Sequence, residues 1–238
     1  IKKSVRNYGV GNFGLDQSFI KYKKTKLPKT TKLIIFAFVP ETISRINSYW
    51  KHYSEFGNKY GFKPFFKLKK KKLLLQKNII NKNTTLAKLK QKIPLIKSKD
   101  IFYERRFLHY MFKFPYSFSY IKSIRRNNII FFNMFLFKLF NFLNSEKKKI
   151  FYLNCYNKIV KDNIIDANKM YAENKYEKHL YEMMVKINKT IKSKNLNCLF
   201  LILPQMHDIF ISKQKRTNYE IFYEKIRKKN KLNILDLT

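Results

Sequence analysis

Leu33-Ile34-Ile35-Phe36-Ala37-Phe38-Val39, closed by Pro40, is the run that sets the architecture. It is apolar without alternation, the texture of a strand covered by helices on both faces. Cys198-Leu199-Phe200-Leu201-Ile202-Leu203, closed by Pro204, repeats the pattern, and Leu232 to Leu237 reads as a third strand. Helical stretches lie beside these strands. Leu15 to Lys24 carries Leu15, Phe19, Ile20 and Tyr22, and Tyr219 to Lys229 forms another. The long stretch Asp166 to Lys194 places Leu180, Met183, Met184, Ile187 and Ile191 on one stripe. Strands alternating with helices at this spacing predict right-handed crossovers and a parallel sheet. A short strand, Ser4 to Tyr8, is expected to precede the first helix.

Between these thirds the texture changes. Residues 66–163 hold Lys69-Lys70-Lys71-Lys72, the aromatic stretch Phe102 to Tyr120 and the apolar stretch Ile129 to Leu143, with no glycine. So many large aromatics are poorly tolerated in a disordered linker. The segment is expected to be a mostly helical, basic and aromatic insertion after the second strand. At 238 residues, one domain spanning 1–238 is the default. The chain opens on Ile1 and closes on Thr238 directly after an apolar run, so the domain is expected to be truncated at both ends.

The charge is extreme: 52 basic residues against 15 acidic give +37. That balance raises contact with a polyanion or an anionic membrane surface through the basic insertion. Composition supplies a competing cause. Arg accounts for only 8 of the 52, while Lys, Asn, Ile, Phe and Tyr abound, all with AT-rich codons. Cys155 and Cys198 stand far apart without a metal-ligand spacing, so neither a disulfide framework nor a metal site is expected. No segment reaches the ~20 uninterrupted apolar residues that a transmembrane helix needs. The compartment and the oligomeric state are not legible.

Glycine is clustered. All five precede Phe62, and three occur in Gly9-Val10-Gly11-Asn12-Phe13-Gly14, after the expected strand and before a helix. Such a turn can aim main-chain N–H groups at an anion, either a ligand phosphate or the oxyanion of an acyl-transfer intermediate. The spacing Gly9-x-Gly11-x-x-Gly14 also fits a dinucleotide fingerprint, with Glu41 loosely at the acidic position.

The string Asn7-Tyr8-Gly9-Val10-Gly11-Asn12-Phe13-Gly14-Leu15-Asp16-Gln17 resembles the second conserved block of bacterial SGNH/GDSL-type hydrolases. Phe36-Ala37-Phe38-Val39-Pro40-Glu41-Thr42-Ile43-Ser44-Arg45 resembles the third block of one subgroup. Tyr49-Trp50-Lys51-His52-Tyr53 and Gly61-Phe62-Lys63-Pro64-Phe65-Phe66 are similar to the segment that follows it there. The resemblance covers residues 4–66, and topology extends it over 165–238. It implies a three-layer α/β/α fold with a doubly wound, flavodoxin-like parallel sheet. It also implies a serine esterase or acyltransferase acting on an ester-bearing glycan or lipid.

The family's nucleophile sits in a Gly-Asp-Ser turn and its base in an Asp-x-x-His turn; neither string occurs here, so no catalytic residue is assigned and this chain alone is expected to be inactive. The resemblance leaves Gly11, Asn12 and Glu41 as oxyanion-hole positions. Asn12 departs from the family's glycine, and Pro40 or Glu41 from its asparagine. Trp50, His52, His207 and Asp208 are candidates to line a groove; His109 and His179 read as structural. No cofactor is expected. Two rivals remain at this level: a non-enzymatic nucleic-acid-binding protein, and a Rossmann-type nucleotide-binding domain built on Gly9 to Gly14.

Overall fold

A computed structural model describes residues 4–49, 62–70, 72–79, 86–101, 103–107, 112–140, 145–230 and 232–238. The chain divides into two compact units. The first comprises Ile1–Asn47, Lys63–Asn78 and Ala167–Thr238; the second comprises Ser48–Phe62 and Ile79–Asp166.

The first unit is mixed α/β. Helix α1 (Leu15–Lys24) leads to strand β1 (Leu33–Phe38), and the short helix α2 (Thr42–Arg45) follows it. After the hairpin of β2 (Phe65–Lys69) and β3 (Lys72–Gln76), the chain returns to this unit near the end of a long helix. That helix and its successors are labelled below in chain order. Strands β4 (Asn197–Ile202) and β5 (Ile234–Asp236) complete a three-stranded parallel sheet in the order β1-β4-β5. The register sets Phe36 beside Phe200 and Phe200 beside Ile234.

The second unit contributes, among its described residues, only helices: α3 (Leu86–Lys99), a π-helical turn (Tyr103–Phe107), α4 (Tyr116–Lys122), α5 (Ile124–Leu139) and most of α6 (Ser145–Met170). Asp100, just past α3, is buried and accepts hydrogen bonds from the Ser48 hydroxyl (2.9 Å) and the Tyr49 N–H (3.1 Å). Arg105 pairs with Asp166 at 2.7 Å. Back in the first unit follow α7 (Asn174–Lys192), α8 (Met206–Gln214) and α9 (Asn218–Asn230).

Helix α7 shows how sequence becomes core. Leu180, Met183, Met184, Ile187 and Ile191 are all fully buried, while Lys189 and Lys192 of the same helix are exposed. Each such side chain removed from water contributes about 1.5–3 kcal/mol. Tyr22 of α1 packs on Phe36, Phe36 and Phe38 pack on Phe200, and Tyr223 of α9 packs on Phe38. All these contacts lie on one face of the sheet.

The opposite face is only partly covered where helices were expected on both sides. Leu33, Ile35 and Leu235 point there and are about half exposed, at 47%, 49% and 49%. Continuous apolarity in β1 therefore marks one buried face and one open apolar face.

Two further expectations change. Residues 4–10 form no strand; they are exposed, Val5 at 90%, and lie outside the sheet. Only four residues then separate this stretch from α1, and none of its side chains is buried. The insertion boundary also moves. Phe65 and Phe66, expected at its edge, are buried, and their hairpin β2-β3 belongs to the first unit, with Phe66 against Phe19 and Lys186 over the Phe66 ring. The lysines of this hairpin hid a strand pair that buries Phe65 and Phe66 and leaves Leu74 and Leu75 about half exposed. Its turn uses Lys70 in a left-handed conformation (φ 44°), and Asn195 after α7 does the same (φ 55°).

Candidate functional site at the strand tips

Three parallel strands end on the same side, and the residues just past each tip build the site. After β1 comes the buried Pro40-Glu41 turn; after β4 comes Gln205 to Asp208; β5 ends in Asp236 and continues to Thr238. The carboxyl end of a parallel sheet is where α/β folds bring ligand-binding groups together.

Asp208 is buried at the start of α8, where its carboxylate accepts the Gln205 N–H at 2.8 Å. Burial raises its pKa to about 6, the Gln205 hydrogen bond opposes that shift, and the negative charges of Glu41 and Asp236 add to it. Glu41 is also buried and pairs with Arg45 at 2.8 Å. Asp236 accepts hydrogen bonds from the Thr238 N–H (3.1 Å) and hydroxyl (2.6 Å). In a chain of charge +37, these three acids form a local negative spot.

A tyrosine cluster packs beside it. The Tyr171 hydroxyl donates to the Pro40 carbonyl at 2.7 Å, and Tyr223 lies 2.9 Å from Tyr171. Tyr171 has one proton and spends it on Pro40, so Tyr223 is the donor in that pair. Tyr219 is hydrogen-bonded to Thr238 at 3.0 Å. Burial pushes the Tyr219 hydroxyl up to about 12 and raises Tyr171 and Tyr223 further, so all three stay protonated. Helix α9 presents Tyr219 and Tyr223 one turn apart, and its start is fixed by Thr217-x-x-Glu220, in which Glu220 accepts the Thr217 N–H at 2.7 Å. Asn168 accepts the Asn218 N–H at 2.9 Å from the side.

The glycine turn lies against the same end of β1. The Leu15 N–H donates to the Thr42 hydroxyl at 3.1 Å, and Gly14 abuts Arg45. A methyl group on Gly14 would stand 2.6 Å from an Asp16 oxygen and 3.1 Å from the Arg45 Cβ, so this close approach demands glycine. Gly11 has open space around it, and the left-handed position is taken by Asn12 (φ 62°). Both Gly11 and Asn12 are exposed. The start of α1 already holds an anion of its own: Asp16 is fully buried, accepts from the Asp16 and Gln17 main-chain N–H groups, and pairs with the buried Lys63. Burial still raises the Asp16 pKa despite that pairing.

No family model matches this chain, and no curated protein or solved structure is significantly similar to it.

The remaining sequence candidates fall in different places. Trp50 and His52 lie outside the described residues. His207 is half-buried on α8 next to Asp208, but the Asp208 carboxylate turns back to Gln205. Consecutive helical side chains diverge by about 100° around the axis, so Asp208 does not orient His207. His179 is buried, with Nδ1 2.7 Å from Asn47 Oδ1, and burial lowers its pKa to about 4, helped by the nearby Lys63 charge. Both cysteines are free, buried and raised by that burial, Cys198 to about 12, which keeps them as thiols. Among the described residues, no group of three His, Cys, Asp or Glu is arranged to hold a metal ion. The strand that a dinucleotide fingerprint requires before its glycines is not formed by residues 4–8.

Sequence reasoning missed Tyr171, Tyr219, Tyr223, Asp236, Asp16 and Lys63. Glu41, Asp208 and Asp236 are far apart in sequence, and only the parallel register unites them. One signal was available: of just 15 acids, Glu41 and Asp208 follow the prolines that close two apolar strand candidates, and Asp236 lies near the end of the third.

Proposed function

We propose that this chain is the central part of an SGNH/GDSL-type hydrolase that cleaves or transfers acyl groups at ester bonds of a glycan or lipid through a serine nucleophile. The observation that carries the reading is the convergence of the glycine turn, the Pro40-Glu41 turn and Asp236 at one end of a parallel sheet. In such an enzyme, the nucleophile and its base meet where strands end. The finer fold is part of the proposal: a second helical layer covers the open face at Leu33, Ile35 and Leu235, giving a three-layer, flavodoxin-like domain. An apolar parallel sheet left open on one side needs such a cover. The negative spot at the tips favours an uncharged ester over a phosphate, which weighs against the nucleotide-binding rival.

The base would descend from a turn leaving β5, with Asp236 beside it and Asp208 able to hold or release a proton near pH 6. The chain extended along its reading frame on both sides is the material for the test. It is expected to contain a Gly-Asp-Ser turn upstream and an Asp-x-x-His turn downstream, to hydrolyse p-nitrophenyl acetate and to be labelled on serine by a fluorophosphonate. The 238-residue chain alone is expected to do neither. An extended chain with neither turn, or one that resists the label, overturns the proposal.

A further inference from the structure

Helix α5 leaves large rings uncovered. Asn127 is buried and donates to the Tyr120 carbonyl at 2.9 Å, Arg126 reaches Asp162 of α6, and Asn133 accepts from Asn154 of α6 at 3.0 Å, while Ile130, Met134, Leu136 and Phe137 are half-buried. Phe132 and Phe135, 61% and 60% exposed, share the outer surface with Arg125, Asn128 and Lys138. Helix α4 beside it exposes Phe118 and Ile121, and Phe114 before it is 85% exposed. A helix whose surroundings are water covers its large apolar side chains, as α7 of the same chain does. Codon drift does not explain the exposed rings, since drift enriches residue types without choosing where they stand.

The charges say what the outer medium is. Between Phe112 and Phe140 there are ten aromatic residues, five basic ones and no acid. Lys113, Lys122, Arg125 and Lys138 are exposed among the aromatics. Aromatic side chains beside cationic ones, without a carboxylate, complement the interface of a negatively charged bilayer: rings enter the headgroup boundary while ammonium and guanidinium groups meet lipid phosphates. No helix among the described residues is long and apolar enough to cross a membrane, so the contact is superficial.

We infer that α4 and α5 form a docking face for the surface of an anionic phospholipid bilayer, on which the second unit lies with Phe114, Phe118, Phe132 and Phe135 inserted. The inference is independent of the esterase proposal, since it uses none of the residues at the strand tips.

The test is flotation of the 238-residue chain with vesicles of phosphatidylcholine containing phosphatidylglycerol, compared with phosphatidylcholine alone, together with hydrogen–deuterium exchange. Binding at least about tenfold tighter to the anionic vesicles is expected, with new protection centred on residues 112–140. The pair Phe132→Ser/Phe135→Ser is expected to weaken binding about tenfold or more, and Lys122→Glu/Arg125→Glu similarly. The exposed pair Lys213→Glu/Lys215→Glu of the first unit, an equal change in charge, is expected to leave binding nearly unchanged. Circular dichroism checks that each variant folds, and wild-type exchange protection gives a reading that needs no variant. Three results overturn the inference: no vesicle binding; binding that both charge-reversed pairs weaken alike while the Phe→Ser pair leaves it intact, which is generic polyanion attraction; or a dimer in solution that the Phe→Ser pair dissolves, which makes a second copy the occupant.

Discussion

The less apolar of two long helices buries its apolar residues, and the more apolar one leaves several exposed. In the first unit, α7 buries Leu180, Met183, Met184, Ile187 and Ile191 and shows lysines to solvent; in the second, α5 buries Asn127 and shows Phe132 and Phe135. The contrast teaches that apolar content alone does not tell core from contact surface. The direction of the apolar face does, because water penalises the exposed ring wherever it stands.

The sharpest way to break this comparison is to make one substitution in both units. Phe200→Ala, at a fully buried ring between Phe36 and Phe38, is expected to cost about 3–5 kcal/mol in urea unfolding, whereas Phe132→Ala is expected to change stability by less than about 0.5 kcal/mol. Equal losses would mean that α5 is core after all. Lys63→Met leaves the Asp16 carboxylate buried without its partner and is expected to cost about 3–5 kcal/mol. The double variant Asp16→Asn/Lys63→Met should recover most of that loss, and a double variant as unstable as the single would remove the ion pair from the account.

Two buried groups of the first unit give stability contributions of opposite pH dependence. His179 is lowered from 6.5 to about 4, so its contribution is intact above pH 6.5 and is lost as pH falls toward 4, by about 3 kcal/mol. Asp208 is raised from 3.8 to about 6, so its contribution is intact below pH 3.8 and is lost as pH rises through 6, by a similar amount. Urea titrations across pH 4 to 7 should show Asp208→Asn gaining stability at pH 7 and His179→Gln flattening the acid limb. The reverse signs would refute the burial of either group. Smallest is the glycine pair. Gly14→Ala should lower the melting midpoint by the equivalent of about 1–3 kcal/mol, since its methyl group meets Asp16 and Arg45, while Gly11→Ala projects into open space and should stay within about 0.5 kcal/mol.

Much of the first unit was legible. The runs read at 33–39 and 198–203 became β1 and β4 within one residue at each end, and the methionine-rich stripe became the buried face of α7. Apolar runs stopped by proline report strands because few other structures tolerate them. What stayed hidden is tertiary. Exposure of Ile35 and Leu235 depends on which helices cover the sheet, not on the strands themselves. The β2-β3 hairpin was masked by lysines at alternate positions, and Ser4 to Tyr8 reads as a strand only if another strand pairs with it. At the site, residue types were visible but their assembly was not, because the register alone brings Asp236 to Glu41 and Asp208.

Glycine stops at residue 61, and the chain must still turn. Lys70 and Asn195 therefore adopt backbone angles that a side chain resists. A glycine at either bend removes the Cβ that the left-handed region crowds, so each position is a place where one substitution can relax the chain without touching the core, more at Lys70 than at Asn195, whose residue type tolerates that region better.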